Sequence, residues 1–549
     1  MQVVWYNAFM FVKVTKSGKY EYVQLVSSYR ENGAVKHKVL LNLGRLDQIE
    51  NNESIKRLAI RLQELSGVKG KVDLSKSSEA EIINWGYVVY RKIWQEFGLD
   101  RILCRIKEES GVHFDLPSAC FLMAVQHLLE PESKLKTYCH QGRYINLPEV
   151  ELHHLYRSLD VLCEYKEELE ERLFYQHRHL FNMKVDVVFY DVTTFYFESV
   201  REDNLRGFGF SKDGKFKEVQ VVLGLLVDCE GRPIGYELFP GDTFEGQTLE
   251  LFLEKLKRRL SLRKVIIVAD RGINSKLNLK RIADKGYSYI FASRIKRLPK
   301  KVEEQALASD GFTKPDKEGF RYKVLDYINE VKVDGHAHNL KEKLIITYSP
   351  SRASKDRAER NRFIAKAMSL LEDRSRIKAS QKRGGRKYLQ ELGGKDSSWV
   401  LDEEAIARDE KFDGYYGLQT NEQELDAYEI LEAYHTLWKI EESFRIMKST
   451  LEVRPIFHWT ESRIKGHFAI CFLAFLLERT LEFSLKKSGE PASPEEIRFS
   501  LNSMNFAQVE VENKHFLIKT KGTEVGNKIL RLLKIRPPKN VTPLEELSL

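Results

Sequence analysis

The chain has 549 residues, 42% of them hydrophobic and 31% charged, with a formal net charge of +9. A single core rarely grows past about 250–300 residues, so this length implies two or more domains, and the composition is that of a globular protein rather than a disordered or fibrous one. No run reaches the ~18 apolar residues of a membrane span, the six cysteines (104, 120, 139, 163, 229 and 471) form no C-x-x-C pair and argue against a disulfide framework or structural zinc, and the positive charge favours a polyanionic partner.

Residues 1–48 carry short alternating runs, AFMFVKVTKSG, YEYVQLVSSY and VKHKVLLNLG, with turn residues at Ser17-Gly18 and Asn32-Gly33. They predict a small β module. MQVVWYNAFMFVKV has neither a basic leader nor a small-residue cleavage site, so no signal peptide is expected. Ile55, Leu58, Leu62 and Leu65 predict a helix over 49–66, with a Gly/Lys-rich linker near Gly67–Lys71. Residues 77–180 repeat apolar and aromatic side chains at three- and four-residue steps, as in WGYVVYRKIWQEF and SACFLMAVQHLL. A helical DNA-binding domain and a packing layer fit that pattern equally well.

From Met183 the periodicity changes. KVDVVFYDVT, VQVVLGLLVD and PIGYELFP predict three strands, and EGQTLELFLEKLKRRL an amphipathic helix. KVIIVAD, NSKLNLKRIADKG and YSYIFAS then predict strand, helix and strand. This order implies a mixed α/β sheet whose apolar strands are covered on both faces. Residues 294–412 interrupt it with strand candidates FRYKVLDYI and KLIITYS and a basic stretch. From Ser351 to Leu389 there are 13 Lys/Arg and 4 Asp/Glu, a local net of +9. Phosphate-backbone contact and a solvated basic face are both open for it. The core resumes with the strand GYYGLQTN, a helix from about Asp426 to Leu451 and a buried helix from about Thr460 to Leu485 that contains FAICFLAFLL. The tail adds the strand-like VEVENKHFLIKT and the amphipathic NKILRLLKI. The expected divisions are 1–75 (β module and linker helix), 76–180 (helical), 181–293 (core, first part), 294–412 (inserted subdomain), 413–485 (core, second part) and 486–549 (C-terminal region, for dimerisation or end binding).

Two carboxylates stand out. Asp191 is expected at the end of the strand KVDVVFY, and Asp270 at the end of KVIIVA. The carboxyl ends of strands in an open α/β sheet are where functional side chains gather, although an Asp there can also merely cap a turn. A divalent-metal site needs a third oxygen ligand, and YHTLWKIEESFRIMKST offers one. Tyr434, Glu441 and Lys448 recur every seven residues, about two helical turns, and so fall on one helix face. A solvated stripe is the competing reading. Leu437, Ile440, Phe444 and Met447 form an adjacent apolar stripe. Glu442 rivals Glu441, and Asp186 and Asp242 rival the strand-end pair. The glycine-rich RGFGFSKDGK lacks the spacing of a nucleotide loop, so no nucleotide cofactor is expected. The fourteen histidines show no HExxH pattern.

YDVTTFYFES, VIIVADRGINS and the ordered set Tyr434, Glu441, Lys448, with LWKIEESFRIMKS and RPIFHWTESRIKGHF around it, resemble the DDE transposases of bacterial insertion sequences. The chain looks most like the branch with a β-rich insertion and a Y-x2-R-x3-E-x6-K signature. The resemblance covers roughly residues 183–480 and implies a ribonuclease-H-like α/β core with a β-rich insertion, preceded here by the β module and the helical domain. It implies that Asp191, Asp270 and Glu441 are catalytic and hold two Mg²⁺, with Mn²⁺ able to substitute. It implies that Tyr434 and Lys448 grip DNA phosphate. The motif arginine is replaced by Leu437, for which Arg445 or Lys439 would compensate. Arg271, Arg383, Arg386 and Lys387 are the further expected DNA contacts. The activity implied is cleavage at terminal inverted repeats of double-stranded DNA and joining of the 3′ ends to target DNA, by a homodimer on paired ends. Its expected location is the bacterial cytoplasm, on the nucleoid. A non-transposing nuclease and an inactive DNA-binding protein of the same fold are the alternatives.

Overall fold

The computed structural model describes residues 9–31, 34–49, 51–66, 78–181, 187–209, 217–228, 230–244, 247–249, 251–252, 266–269, 274–313, 319–333, 335–372, 377, 384–392, 398–454, 456–511 and 513–547. They fall into two compact units, Met1–Ala80 with Val509–Phe516, and Glu81–Gln508 with Leu517–Leu549. In the first, β1 (Met10–Ser17), β2 (Tyr20–Glu31) and β3 (Ala34–Arg45) form an antiparallel sheet in chain order. Ser17 pairs with Tyr20, and Gly18 takes the φ of +64° that a two-residue hairpin loop needs. A helix, Glu53–Ser66, follows.

The second unit contains β4 (Glu81–Asn84), β5 (Val187–Tyr196), β6 (Gln220–Asp228), β7 (Pro233–Pro240), β8 (Ile266–Ala269), β9 (Ser288–Ala292), β10 (Arg321–Val333), β11 (His336–Tyr348), β12 (Leu389–Leu392), β13 (Ser398–Leu401) and β14 (Tyr415–Thr420). Eight of these make one mixed sheet in the order β10-β11-β14-β9-β8-β5-β6-β7. β8 runs parallel to β5 and β9, while the remaining neighbours are antiparallel. β5 is central and covered on both faces. Phe189 and Phe195 join one core cluster, while Val188, Tyr190 and Val192 join the other, as the two-residue period of a strand requires.

Part of the segment expected as an inserted subdomain builds the sheet itself. β11 buries Leu344 and Ile346 on one side and Ile345 on the other, and pairs with β14. A strand apolar on both faces belongs inside a sheet. The rest, the helix Pro350–Glu372, the turn Gly385–Tyr388, the β12–β13 hairpin and the helix Glu403–Glu410, gathers around Ala367, Ile377, Tyr388, Leu389 and Ala405. The helix expected over EGQTLELFLEKLKRRL lies mostly outside the described residues.

The helical stretch before the sheet shares the sheet's core. Trp94, Phe121 and Leu159 belong to one cluster with Phe195, Leu223 and Phe468. The link is the helix Glu461–Lys487, buried continuously from Gly466 to Leu481. Gly466 permits its closest approach, since a Cβ there would lie 2.0 Å from the Leu159 carbonyl oxygen in the helix Leu152–Glu164. Gly466→Ala is therefore expected to cost about 1–3 kcal/mol through overpacking. Gly235→Ala, with nothing within 4 Å of the new Cβ, should leave stability nearly unchanged. Thermal melts of the two variants check this.

Candidate active site

The strand carrying Asp191 does not end there. β5 continues to Tyr196, so Asp191 lies mid-strand, opposite Leu225 of β6 in an unbroken register. It extends further than the apolar run suggests because Val192 and Phe195 are also buried beneath flanking layers. Alternation puts Asp191 on the face of Phe189 and Phe195. It is half-buried, and Oδ1 accepts a hydrogen bond from its neighbour's backbone, Val192 N, at 2.8 Å. β8 pairs Ile266, Ile267 and Val268 with Val187, Val188 and Phe189. Asp270 follows the last residue of β8 in sequence and, with Arg271, Arg383 and the rival Asp186, lies outside the described residues. Asp242 sits beyond β7, the edge strand two positions from β5.

The single helix expected from Asp426 to Leu451 is three pieces. A helix Ala427–His435, begun by an Asp426/Glu429 capping box, breaks at Thr436-Leu437. A second helix spans Trp438–Arg445, and a π-helical turn, Ile446–Thr450, follows it. Tyr434, Glu441 and Lys448 therefore belong to three successive segments, and a straight 3.6-residue helix does not relate them. Leu437, Ile440, Phe444 and Met447 are all buried in the cluster that contains Phe189 and Phe195, and the helix Trp438–Arg445 packs against β5. Asp191 and the Glu441 helix thus meet on the same side of the sheet.

Glu441 and Glu442 are separated by their surroundings. Glu441 is exposed. Glu442 accepts from Arg479 at 3.3 Å and lies 3.6 Å from Arg445. Arg479 is almost wholly buried and also bonds Glu482 at 2.6 Å. Glu442 is thus fastened to the core, while the neighbouring carboxylate faces outward. Burial raises the Glu482 carboxyl above its ordinary range against the pull of Arg479.

Tyr434 shares a 2.7 Å hydrogen bond with the hydroxyl of Tyr416 on β14, and the Arg352 guanidinium lies 4.4 Å over the Tyr416 ring. The Lys448 ammonium lies 5.6 Å from the centre of Phe195, four residues beyond Asp191 on the same face, about 13 Å along the strand. Leu437 is a core side chain. The Arg352 guanidinium lies on Tyr416, the hydrogen-bond partner of Tyr434. Sequence reading missed Arg352 and Tyr416 individually, because only the pairing of β11 with β14 brings them together.

The other expected contacts are partly committed. Lys387 is ion-paired with Asp409, Lys296 reaches the same carboxylate at 2.5 Å, and the Tyr388 hydroxyl donates to it at 2.9 Å. Burial alone would raise Asp409, but those three partners pull it down to about 2. Arg386 stacks 5.4 Å over Trp399. Lys439 lies beside Gly231. On the helix Pro350–Glu372, Lys355, Arg357, Arg362 and Lys366 are exposed, whereas Arg360 is buried against Asp413 and Glu410.

The donor chemistry suits a hard cation, since Asp191 and Glu441 both offer carboxylate oxygens. Among the described residues no three His, Cys, Asp or Glu side chains are gathered to hold a metal, and Asp270 is not among those residues.

Residues 184–477 match the family model for a transposase DDE domain, and residues 12–69 match the N-terminal domain of IS1634 family transposases. No curated protein matches the chain significantly. Among solved structures, the chain is similar to the piggyBac transposase synaptic complex with hairpin DNA. Identity is 9%, coverage is 78% of this chain and 82% of that one, and the TM-score is 0.35.

Glu442→Ala leaves the buried Arg479 with Glu482 as its remaining carboxylate, and should cost about 1–3 kcal/mol. Glu441→Gln should leave the melting temperature unchanged. Denaturant melts of both variants distinguish a structural from a functional carboxylate.

Proposed function

The chain belongs to the DDE transposases of insertion sequences, and on that premise we propose that it binds terminal inverted repeats, cuts the element ends and joins their 3′ ends to target DNA. The observation that carries the reading is the placement of Asp191 on the sheet face against which the Glu441 helix packs. Asp270 completes the proposed set. It follows in sequence directly after β8, the strand that pairs with β5.

Asp191, Asp270 and Glu441 are the residues that would hold divalent metal, Mg²⁺ or Mn²⁺. Bound metal supplies activation of the attacking oxygen and neutralises charge on the leaving 3′ oxygen. Because hydrolysis and joining are both in-line attacks of an oxygen on phosphorus, one carboxylate set serves both steps. Val192 N steadies one Asp191 oxygen through its hydrogen bond. Glu441 is carried on a helix whose buried side is fixed by Ile440 and Phe444. Tyr434, oriented by Tyr416, and Lys448 grip the phosphate backbone beside the scissile position, with Arg352 taking the part of the missing motif arginine. The exposed cations of the helix Pro350–Glu372 extend that contact without reading sequence. Paired ends call for two copies of the chain.

The deciding experiment uses the DNA flanking the gene as donor, Mg²⁺ and a supercoiled target plasmid. Native protein should cleave the ends and join them, and Asp191→Asn, Asp270→Asn and Glu441→Gln should each fall to background while remaining folded. Cleavage that survives in any of the three overturns the carboxylate assignment. Cleavage without joining identifies a nuclease instead. Replacing Lys355, Arg357, Arg362 and Lys366 with glutamine should flatten the salt dependence of DNA binding, by about 0.9 in log–log slope for each phosphate that is no longer neutralised.

A further inference from the structure

A cavity of about 190 Å³ lies away from the carboxylates, where the end of the helix Leu116–Leu129, the short helix Lys134–Cys139, the residues Glu452, Arg454, Phe457 and His458, and the start of the helix Glu461–Lys487 converge. Lys134 lines it and is 3% exposed. Its ammonium makes no hydrogen bond or ion pair with any described residue. Burial lowers its pKa from the ordinary lysine value, the sign of a charge taken from water without compensation. Buried charges are normally paired, because the desolvation penalty is several kcal/mol per ion.

The surroundings make the same demand. His127, His458 and His467 line the cavity. Burial, and then the nearby Lys134, holds His127 down to about 3 and His458 to about 4, and pushes His467 well below its usual value. All three are therefore neutral at pH 7. His127 Nδ1 and Arg454 Nε are buried with no hydrogen-bond partner among the described residues, whereas His467 has its Nε2 on the Val453 carbonyl and so offers an acceptor, not a donor, at Nδ1. Orphaned nitrogens beside an unpaired buried ammonium call for an explanation, and a bound ion is a standard one. The two carboxylates on the lining are engaged. Glu132 bonds His140 at 2.8 Å and Gln126 at 3.1 Å, and Glu452 lies 3.9 Å from Arg498. The space holds about six waters at ~30 Å³ each, enough for a tetrahedral oxyanion. A metal cation does not suit it, since an unpaired ammonium shares the space and His467 Nε2 is already 3.1 Å from the Val453 carbonyl.

We propose that this cavity is a phosphate-binding site, with Lys134 as its buried counter-charge and Arg454 at its edge. The ligand class is a phosphate monoester dianion, supplied by a DNA 5′ end or by inorganic phosphate. Arg454 ties the site to the proposed chemistry. Its guanidinium lies 3.6 Å over Tyr196, the last residue of β5 and five residues beyond Asp191, about 16 Å along the strand. That is roughly five base pairs of duplex axis. The DNA source rests on the transposase reading, and the inorganic source does not.

The test uses the full chain in phosphate-free buffer. Melting temperature is followed against millimolar inorganic phosphate, with chloride matched in ionic strength. Native protein should show a saturable rise, as mass action requires. Lys134→Met should lose that rise and melt no lower than native protein without phosphate, because the unpaired charge is gone. General salting-out also raises stability, but alike in both proteins and without saturation. Equal responses, or no response in either, overturn the proposal. Should Lys134→Met fail to fold, Arg454→Gln serves in its place, with an expected loss of at least tenfold in phosphate affinity. Duplexes with and without a 5′ phosphate identify the source. Tighter binding of the phosphorylated end marks DNA, and equal binding alongside a response to inorganic phosphate marks the free anion. Failure of end cleavage would leave the inorganic arm standing, so the two readings fail separately.

Discussion

The burial of the helix Glu461–Lys487 is the constraint on which the second unit depends. From Gly466 to Leu481 it has no exposed residue. Phe468 meets Phe195 of β5 at 5.4 Å, Phe472 meets Tyr236 of β7 at 5.1 Å, and Gly466 lies against the Leu159 backbone. Each large apolar side chain so buried contributes about 1.5–3 kcal/mol. A helix with no solvent face must also satisfy its polar groups inside the protein. Glu478 therefore accepts from Tyr90, Arg479 bonds Glu442 and Glu482, and His467 contacts the Val453 carbonyl. Those bonds reach the helix that carries Glu441 and the segment that follows it, so the core indirectly fixes the candidate site.

The Glu441 helix is bounded by the turn at Thr436-Leu437 and the π-helical turn at Ile446–Thr450, and Leu437, Ile440, Phe444 and Met447 are all buried. π-helical turns of this kind are frequent at functional sites. Leu437 is committed to the core. Arg352, close behind the end of β11, lies over Tyr416, which hydrogen-bonds Tyr434. The interposed segment is thus joined to the sheet by a strand pair and reaches the site through that pair.

Buried charge is handled in contrasting ways within this one unit. Arg479 and Arg360 are buried with carboxylates against them, so their burial is locally compensated. Lys134 is buried beside neutral imidazoles and has no carboxylate among its described partners. The difference marks the first two as structural and leaves the third as a group that needs a ligand.

The sequence by itself determined the element types along most of the chain, the mixed sheet and the ordered carboxylate blocks. These are local properties. Strand alternation, glycine-terminated helices and short motifs are written within a few residues of one another. It also identified the buried stripe Leu437, Ile440, Phe444 and Met447 and the buried run FAICFLAFLL. Only the tertiary structure decided that β5 continues past Asp191, that β10 and β11 extend the main sheet, and that the helices before the sheet share its core. It alone tied Glu442 to the buried Arg479 while leaving Glu441, which the motif register already favoured, exposed, and it brought Arg352 to Tyr416. It also gathered Lys134 with three histidines from distant segments. Each of these depends on contacts between residues tens to hundreds of positions apart, and neither periodicity nor motif spacing carries that information.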